Sequence, residues 1–324
     1  MPMQGGLSIE RMCQLARVSR AGFYRFLQER LPREEDTEVR SAIQQVAFEH
    51  RRRYGYRRVA AELKRRGMLV NHKRVARIMR EDNLLAAQPK EFVSTTDSDH
   101  ALEVYLNLAR RMHLSGIDQL WVADITYIRL QAEFVYLAVI LDSFSRKVVG
   151  WRLDRTLTSR LATEGLQRAI EVRRPLPGLV HHSDRGVQYA SADYVAILKQ
   201  YGIVSSMSRP ANPYDNASCA SFIKTLKREE IYANEYRDLV NLHGHIEEFI
   251  DCYYNRKRLH SALGYQTPEE FEAQTRGQSE AELNSATLHF FAGTRQKAST
   301  ALVGEGTQTP SLPHTPTLLG ESTR

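Results

Sequence analysis

The chain has 324 residues and a formal net charge of +7, from 45 lysines and arginines against 38 aspartates and glutamates. This length predicts two or three domains. No stretch approaches the roughly 18 uninterrupted apolar residues of a membrane-spanning helix, and the amino terminus lacks the pattern of a secretory signal. Three widely spaced cysteines, Cys13, Cys219 and Cys252, exclude a disulfide scaffold and are typical of a reducing compartment. We therefore expect a cytoplasmic protein with no membrane partner.

The first structural signal along the chain is a short helical pair in residues 1–34. Ser8 is placed to cap a helix that ends near Arg17, and Ser19 to cap a second helix through Gln28. The brief turn between the two predicted helices suits a short helix-turn-helix unit. A plain helical hairpin without DNA contacts fits the same pattern.

Residues 35–90 predict a second helical unit, and its positive charge is concentrated in one segment. Residues 51–80 hold twelve lysines and arginines and one acid, Glu62, for a local net charge of +11. Apolar residues recur there at helical spacing, so we predict two helices with the basic surface of a DNA-binding helix-turn-helix domain. The alternative is a solvated helix pair with many surface arginines. The recurring apolar positions are Val59, Leu63, Val75, Ile78 and Met79.

Further along, short apolar runs rich in β-branched residues begin at Leu120. Three predicted strands in succession are followed by alternating helices and strands, which indicates a mixed sheet covered by helices, an α/β domain. Residues 91–114 before this domain are polar and predict a linker. The predicted strands are Leu120 to Leu130, Phe134 to Leu141, Lys147 to Leu153, Gly178 to His182 and Ile203 to Ser205.

The carboxyl-terminal residues 275–324 differ in composition from the rest of the chain. Of these 50 residues, 22 are Ser, Thr, Pro or Gly, and four basic residues balance four acidic ones. Such a segment buries too little apolar surface to offset its ordering entropy, so we predict a disordered tail.

Two aspartates of the α/β domain are candidate metal ligands. Asp124 lies in mid-strand among apolar residues, where an unpaired charge costs several kcal/mol, and Asp184 follows the end of another strand. On adjacent strands the two suit Mg²⁺ or Mn²⁺, and a pair of such ions about 4 Å apart can act on a phosphodiester. The alternatives are an edge-strand Asp124 that faces water and an Asp184 that caps a helix or turn. The adjacent His181 and His182 point to opposite faces of their strand, so at most one can join Asp184.

Several motifs, in matching order over residues 8–271, resemble those of the insertion sequence 3 family of bacterial transposases. The resemblance implies a ribonuclease-H-like integrase catalytic core over residues 115–274, preceded by the two helix-turn-helix units. The motifs are Tyr54-Gly-Tyr-Arg-Arg-Val, Val70-Asn-His-Lys-Arg-Val, Trp121-Val-Ala-Asp-Ile-Thr-Tyr-Ile, Leu141-Asp-Ser-Phe-Ser-Arg-Lys-Val-Val-Gly-Trp, His182-Ser-Asp-Arg-Gly, Asn212-Pro-Tyr-Asp-Asn-Ala, Ser221-Phe-Ile-Lys-Thr-Leu-Lys-Arg-Glu and Tyr253-Tyr-Asn-Arg-Lys-Arg-Leu-His-Ser-Ala-Leu-Gly-Tyr-Gln-Thr-Pro.

This resemblance also implies an activity and its partners. Members of the family bind the terminal inverted repeats of their element and a target DNA, act as multimers on nucleoid DNA, and catalyse metal-dependent strand cleavage and transfer. Asp124 and Asp184 are then the first two members of an Asp-Asp-Glu triad that holds two Mg²⁺ or Mn²⁺ ions.

The third carboxylate of that triad is missing from this chain. In the family the Glu stands directly before Ser-Phe, thirty-six positions beyond the second Asp, and here that position is Ala220. Asp215 is placed to cap a helix over residues 216–230, on which Ala220, Lys224 and Lys227 share a face. Alanine suits the helix but supplies no oxygen ligand.

No other acid is placed to substitute for the missing Glu. Glu229 lies about 13 Å further along the predicted helix, at ~1.5 Å per residue, and the expected task of Asp215 is capping. We therefore expect a DNA-binding transposase with severely impaired cleavage and strand transfer. The alternative is a non-catalytic DNA-binding protein or an inhibitor of transposition.

A last cluster of positive charge follows an amphipathic helix predicted over Leu239 to Tyr254. The segment Asn255 to His260 holds three consecutive basic residues, which suit the DNA backbone or a solvated helix end. Together with the basic segment and the predicted catalytic helix, it completes the predicted contacts to double-stranded DNA. These are Arg51, Arg52, Arg53, Arg57, Arg58, Lys73, Arg74, Arg77, Lys224, Lys227, Arg256, Lys257 and Arg258.

Overall fold

The computed structural model of the protein describes residues 8–27, 36–84, 105–131, 133–208 and 216–278. The chain divides into two compact units, Met1–Pro268 and Glu269–Arg324, which are described separately. Within the described ranges, no helix is both long enough and apolar enough to cross a membrane.

A five-stranded mixed sheet lies at the centre of the first unit. Its strands are β1 (Leu120–Arg129), β2 (Phe134–Asp142), β3 (Val148–Asp154), β4 (Val180–Ser183) and β5 (Val204–Met207). They are ordered β3-β2-β1-β4-β5. Tight turns join the first three strands, which are antiparallel, whereas β1, β4 and β5 run parallel because helices lie in their connections. The sheet confirms the predicted α/β fold, with each strand within about two residues of its predicted bounds.

Helices cover both faces of the sheet because side chains of each strand alternate between the faces. The helices are α6 (Ser159–Arg173), α7 (Ala192–Gln200), α8 (Ala217–Leu226) and α9 (Leu239–Glu247). On β1, Trp121 and Ala123 pack into one hydrophobic cluster with α6 and α7, and Leu120 and Val122 pack into another with α8 and α9. A π-helical segment continues α8 over Lys227–Ile231, and another continues α9 over Glu248–Tyr254.

Gly150 on β3 permits a close approach between the sheet and α6. A Cβ atom at this position would lie 2.4 Å from the main-chain oxygen of Gly165 and 2.7 Å from the side chain of Ala169. Only a residue without a side chain fits here, so the glycine fixes how α6 packs on the sheet.

Residues 36–84 form a three-helix bundle, referred to below as the basic module. It consists of α3 (Thr37–Glu49), α4 (Tyr56–Arg65) and α5 (His72–Glu81). The apolar positions predicted from helical spacing are its buried core, and Asn71 caps α5 by accepting a hydrogen bond from the Lys73 amide at 2.8 Å. These buried side chains belong to the same hydrophobic cluster as those of α8 and α9. The basic module therefore packs on the α/β domain, on the side of α8 and α9.

Two shorter helices, α1 (Ile9–Leu15) and α2 (Arg20–Leu27), precede the basic module. The Ser8 hydroxyl accepts a hydrogen bond from the Arg11 amide at 3.3 Å, and the Ser19 hydroxyl accepts one from the Gly22 amide at 3.0 Å. Both predicted caps are confirmed, whereas Gln28 lies outside the described residues.

The predicted linker and tail are described only in part. Residues 105–114 of the linker contain one 3₁₀ turn, Ala109–Arg111. In the second unit, residues 269–278 are helical, so the predicted start of a disordered tail at residue 275 is wrong for 275–278. Residues 279–324 lie outside the described ranges.

Candidate active site

Asp124 lies on the central strand of the sheet. It follows Leu120 and Val122 on the face that α8 covers, and its Oδ1 accepts a hydrogen bond from the Ile125 amide at 2.9 Å. Because β1 has hydrogen-bonded neighbours on both sides, the alternative of an edge-strand aspartate that faces water is wrong.

Asp184 follows β4 and lies near Asp124. The parallel register of β1 and β4 ends at the pair Val122 and His182, so each aspartate lies two residues beyond it, and the charge of Asp184 acts on Asp124. Adjacent strands lie about 4.8 Å apart. A tight turn orients the second carboxylate, since its Oδ1 accepts a hydrogen bond from the Gly186 amide at 2.9 Å. The two aspartates predicted as metal ligands are thus close to each other, just beyond the end of β4.

The electrostatics of this pair suit a cation. Burial, together with the nearby charge of Asp184, raises the pKa of Asp124 to about 7. The positive charge of Lys227 partly opposes this shift. In the part of the chain that the structure describes, no third His, Cys, Asp or Glu completes a metal-binding group with them.

The start of α8 is held directly against the strand that carries Asp124. The Asn216 side-chain amide donates a hydrogen bond to the Ala123 carbonyl at 2.8 Å. One turn further along, Cys219 is fully buried and its pKa is raised by burial and by the two nearby carboxylates. Ala220 follows on the exposed side of the helix. Asp215, the predicted cap, lies outside the described residues, and the N-cap position is occupied by Asn216.

The two lysines of the predicted catalytic helix differ in their surroundings. Lys224 is exposed, whereas Lys227 begins the π-helical segment and is buried. The Lys227 ammonium lies 4.8 Å from the centre of the Tyr127 ring on β1. Burial lowers the pKa of Lys227, and the charge of Asp124 partly offsets this effect. The structure therefore places Lys227 near Asp124 and leaves Lys224 on the surface.

The two histidines that precede Asp184 support the site without joining it. His182 bridges the hydroxyls of Ser206 and Ser208 at 2.8 and 3.0 Å, which ties β4 to β5. His181 points to the other face, where its Nε2 lies 2.9 Å from the Tyr194 hydroxyl. The prediction that they face opposite sides is confirmed.

Two of the predicted DNA contacts are buried inside the protein. The Arg53 guanidinium pairs with Glu230 at 2.5 Å, and that of Arg258 makes a bidentate pair with Glu229 at 2.8 Å. Their side chains are 7% and 3% exposed. Their assignment as DNA contacts is therefore wrong, because the guanidinium groups are enclosed and neutralised. No local signal in the sequence separates them from the exposed arginines beside them, since their partners lie far along the chain.

Apart from Lys227, which is also buried, the remaining predicted contacts are at least partly accessible. Arg74 and Arg77 both pair with the buried carboxylate of Asp36, and Arg58 donates a hydrogen bond to the Leu259 carbonyl at 2.9 Å. Apart from Lys227, the others are surface residues. They are Arg51, Arg52, Arg57, Lys73, Lys224, Arg256 and Lys257.

Comparison with known proteins agrees with this arrangement of domains. The profile of an HTH-like domain matches residues 33–92, and two profiles of an integrase core domain match residues 116–213 and 201–268. A magnesium complex of the HTLV-2 integrase catalytic core domain, in its dimeric form, aligns with a TM-score of 0.38 at 18% identity, covering 49% of this chain and 98% of that one.

Two curated proteins are similar over most of the chain. The insertion element IS600 uncharacterized 31 kDa protein of Shigella sonnei is 37% identical over 263 residues, which cover 80% of this chain and 97% of that protein. Transposase InsF for insertion sequence IS3A of Escherichia coli (strain K12) is 36% identical over 274 residues, which cover 83% of this chain and 95% of that protein. With this identity over nearly the whole length of both relatives, the chain belongs to the insertion sequence 3 family of transposases.

Proposed function

We propose that this chain binds the ends of an insertion sequence but is severely impaired in DNA strand cleavage and transfer. One observation supports the proposal: Asp124 and Asp184 each lie two residues beyond the last paired residues of β1 and β4, and the residue that we assign to the family Glu position on α8 is an alanine, Ala220. Two carboxylates remain where the family uses three. The fold and the DNA-binding surface do not depend on the missing side chain, because alanine is well suited to a helix.

The two aspartates are the residues that would hold Mg²⁺ or Mn²⁺. Carboxylate oxygens are the ligands that these ions prefer. Burial, and secondly the charge of Asp184, raise the pKa of Asp124, and a bound cation would offset both effects. When bound, such ions activate the attacking oxygen and stabilise the leaving oxygen at a phosphodiester. With Ala220 in place of a carboxylate, we expect weaker binding of two ions.

The proposed substrate is double-stranded DNA: the terminal inverted repeats of the element and a target sequence. The exposed cations of the basic module, including Arg57 and Lys73, would contact phosphates, with Lys224 closer to the aspartates. Like other members of the family, the protein would act as a homo-multimer on DNA in the bacterial cytoplasm.

A cleavage assay tests the catalytic part of the proposal. Radiolabelled terminal-repeat DNA is incubated with Mg²⁺ or Mn²⁺ and with the chain as given, with Ala220→Glu, or with Ser221→Glu. The last variant is a matched control, because it adds the same carboxylate at the adjacent exposed position of α8. We expect metal-dependent cleavage by Ala220→Glu to be about 100-fold faster or more. The added carboxylate would help to hold the metal ions, and bound metal ions lower the free energy of the transition state by several kcal/mol. Equal cleavage by the chain as given and by Ala220→Glu would refute the proposed impairment.

The second candidate function is a non-catalytic DNA-binding protein or an inhibitor of transposition. Ala220 favours it, because a chain that still binds transposon ends without cleaving them would compete with an active relative. Mixing this chain with its Ala220→Glu variant distinguishes the two functions. Cleavage that falls more steeply than the active fraction indicates inhibitory mixed multimers, whereas a proportional fall indicates a passive copy.

DNA binding is tested separately by the salt dependence of affinity. Each phosphate contact contributes close to one unit to the slope of log affinity against log salt. We expect Arg57→Ala and Lys73→Ala each to lower the affinity for duplex DNA and to reduce that slope by about one. Lys199→Ala removes an exposed cation from α7, outside the basic module, and serves as the control. Unchanged slopes in both module variants would exclude these two residues as phosphate contacts.

A further inference from the structure

The arginines that are withdrawn from the surface lie where the basic module meets the remainder of the first unit. Arg53 stands in the loop between α3 and α4, and its Nη2 donates to Glu230 at 2.5 Å while its Nε donates to the Glu229 carbonyl at 2.9 Å. Its guanidinium also lies 4.4 Å from the ring centre of Tyr253. One side chain thus contacts both segments that follow α8 and α9.

The acceptors of Arg53 have further partners on their own side of the interface. The Glu230 carboxylate accepts hydrogen bonds from the side chains of Asn234 and Tyr236, and lies 3.1 Å from His245 Nδ1. Glu229 receives the bidentate pair from Arg258. Both carboxylates are therefore held in place from within the core, and the basic module adds a cation to each: Arg53 to Glu230, and Arg58, at 3.8 Å, to Glu229.

A second set of contacts joins the basic module to the segment after α9. The Tyr54 hydroxyl donates to the Lys257 carbonyl at 3.1 Å and accepts from the Leu259 amide at 2.8 Å. Arg58 donates to the Leu259 carbonyl at 2.9 Å. These side chains satisfy main-chain groups in a segment without regular secondary structure, which fixes its position against α4.

The chemistry of the buried pairs suggests a role in specificity. Desolvating two charges largely cancels their attraction, so a buried ion pair adds little net stability, but losing one partner leaves the other charge uncompensated. Such a pair tolerates one arrangement of its partners and penalises others. Arg, with its planar fork of donors, enforces this geometry more strictly than Lys.

The position of the acceptors connects this interface with the active site. Glu229 and Glu230 lie in the π-helical segment Lys227–Ile231, which continues α8 directly. Together, α8 and this segment form one continuous helix, which carries Ala220 near its start, where Asn216 is hydrogen-bonded to β1. The basic module is therefore attached to the helix that holds the third catalytic position, in addition to its covalent connection through residues 85–104.

We propose that Arg53 is a positioning residue, which locks the basic module onto α8 and its π-helical continuation and so sets the distance along DNA between the bound sequence and the reacting phosphate. The consequence for DNA rests on the proposed function, whereas the locking itself is a property of the free protein. Spacing between recognition and cleavage is then determined by the fold and not by the length of a linker.

The test measures a distance in the full chain without DNA. Spin labels are attached to cysteines introduced at Ser41 on α3 and Glu171 on α6, both exposed, in a Cys252→Ser background. Cys13 and Cys219 are buried. Double electron–electron resonance then reports the separation of the basic module from the sheet. Both tryptophans, Trp121 and Trp151, are buried in the sheet, so their fluorescence shows independently whether the sheet is folded.

We expect one narrow distance distribution for the labelled parent and at least a twofold broader one for Arg53→Met, with the tryptophan emission unchanged. Arg53→Lys should give an intermediate width, because it keeps the charge but not the fork. Arg66→Met is the matched control, since it removes an ion pair, with Glu49, that lies wholly within the basic module. Its distribution should equal that of the parent.

A double variant keeps the test decisive if Arg53→Met does not fold. Arg53→Met with Glu230→Gln removes both charges, and the glutamine oxygen can still accept hydrogen bonds from Asn234 and Tyr236, so folding should be retained. We expect a broad distribution here as well. A narrow, parent-like distribution in this variant would show that the remaining contacts fix the basic module without the ion pair, and would overturn the role of the pair.

Hydroxyl-radical protection of terminal-repeat DNA adds a functional reading. The parent should protect two segments at a fixed spacing, and Arg53→Met should retain the segment of the basic module while losing that of the core. Absence of any protected segment in the parent would contradict the proposed DNA-binding function but not the locking, which the distance measurement decides. Two equally spaced segments in Arg53→Met would contradict the locking.

Discussion

The side-chain amide of Asn216 donates a hydrogen bond to the main-chain carbonyl of Ala123, and this bond joins the start of α8 to β1 immediately beside Asp124. The donor is almost fully buried and the distance is 2.8 Å. This bond, with the contact of 3.5 Å between the Ser218 and Ser143 hydroxyls, positions the first turn of α8, and with it position 220, relative to the carboxylates.

Removing this bond should both destabilise the protein and disturb the site. Asn216→Ala leaves a buried carbonyl without its partner, so we expect the free energy of unfolding to fall by about 1–3 kcal/mol. Urea unfolding followed by tryptophan fluorescence measures this change. Asn241→Ala is the control, because Asn241 lies on α9 and its side chain accepts only a bond from the nearby Arg237 amide among those described. An effect no larger than that of the control would contradict the assigned role of Asn216.

Restoring the third carboxylate should strengthen metal binding even where catalysis is not measured. Ligand binding stabilises the folded state in proportion to the logarithm of its affinity, so each tenfold gain in affinity adds about 1.4 kcal/mol at saturating metal. We expect Mn²⁺ to raise the melting temperature of Ala220→Glu more than that of the chain as given. Ser221→Glu should respond like the latter. An equal shift in all three proteins would place the metal elsewhere.

Acid sensitivity should depend in part on His181. Burial lowers the pKa of this imidazole to about 3, whereas an unfolded histidine titrates near 6.5. As pH falls below about 6.5 the unfolded chain takes up a proton that the folded chain does not, so stability decreases towards pH 3. The contribution at pH 5 is about 2 kcal/mol, from 1.36 kcal/mol per pH unit.

His181→Gln isolates that contribution because glutamine keeps a polar partner for the Tyr194 hydroxyl but does not titrate. We expect the loss of unfolding free energy between pH 7 and pH 5 to be smaller in the variant by about 2 kcal/mol. Urea unfolding at the two pH values measures it. Identical losses in the variant and the parent would show that His181 takes up its proton in the folded state.

The glycine contact between β3 and α6 predicts opposite effects for two alanine substitutions. Gly150→Ala places a methyl group against the Gly165 carbonyl, so the sheet or α6 must move, and we expect a loss of about 2–4 kcal/mol in the free energy of unfolding. Gly244→Ala on α9 has no atom within 4 Å of the added Cβ and should stabilise the helix by about 0.5–1 kcal/mol. A tolerated Gly150→Ala, with no loss of stability, would show that α6 packs differently.

Local patterns in the sequence were sufficient to predict most of the helices and strands. Hydrophobic periodicity predicted α4, α5 and the five strands, because apolar residues recur at the spacing of the side chains that face the core. The Ser8 and Asn71 caps were predictable for the same reason, since each bond spans only two or three residues. The assignment of Ala220 to the position of the family Glu also rests on spacing and motif alone, and it stays a prediction.

The transitions of α8 and α9 into π-helical segments left no such signal. A π turn retains the helical pattern and only shifts its phase, so residues 216–230 were predicted as one regular helix. Lys227, Glu229 and Glu230 all lie in the π-helical segment after α8 and are all buried.

Only the tertiary structure decided which residues that are distant in the sequence lie close together. Asp124 and Asp184 come close together because β1 and β4 pair in parallel. Arg53 pairs with Glu230, which lies 177 positions further along the chain. An arginine in a basic segment has the same local sequence whether it faces a phosphate or a buried carboxylate. The sequence by itself therefore determined the chemistry available at each position. The packing of the basic module on α8 decided which of those charges remain accessible, because burial depends on elements that the local sequence does not contain.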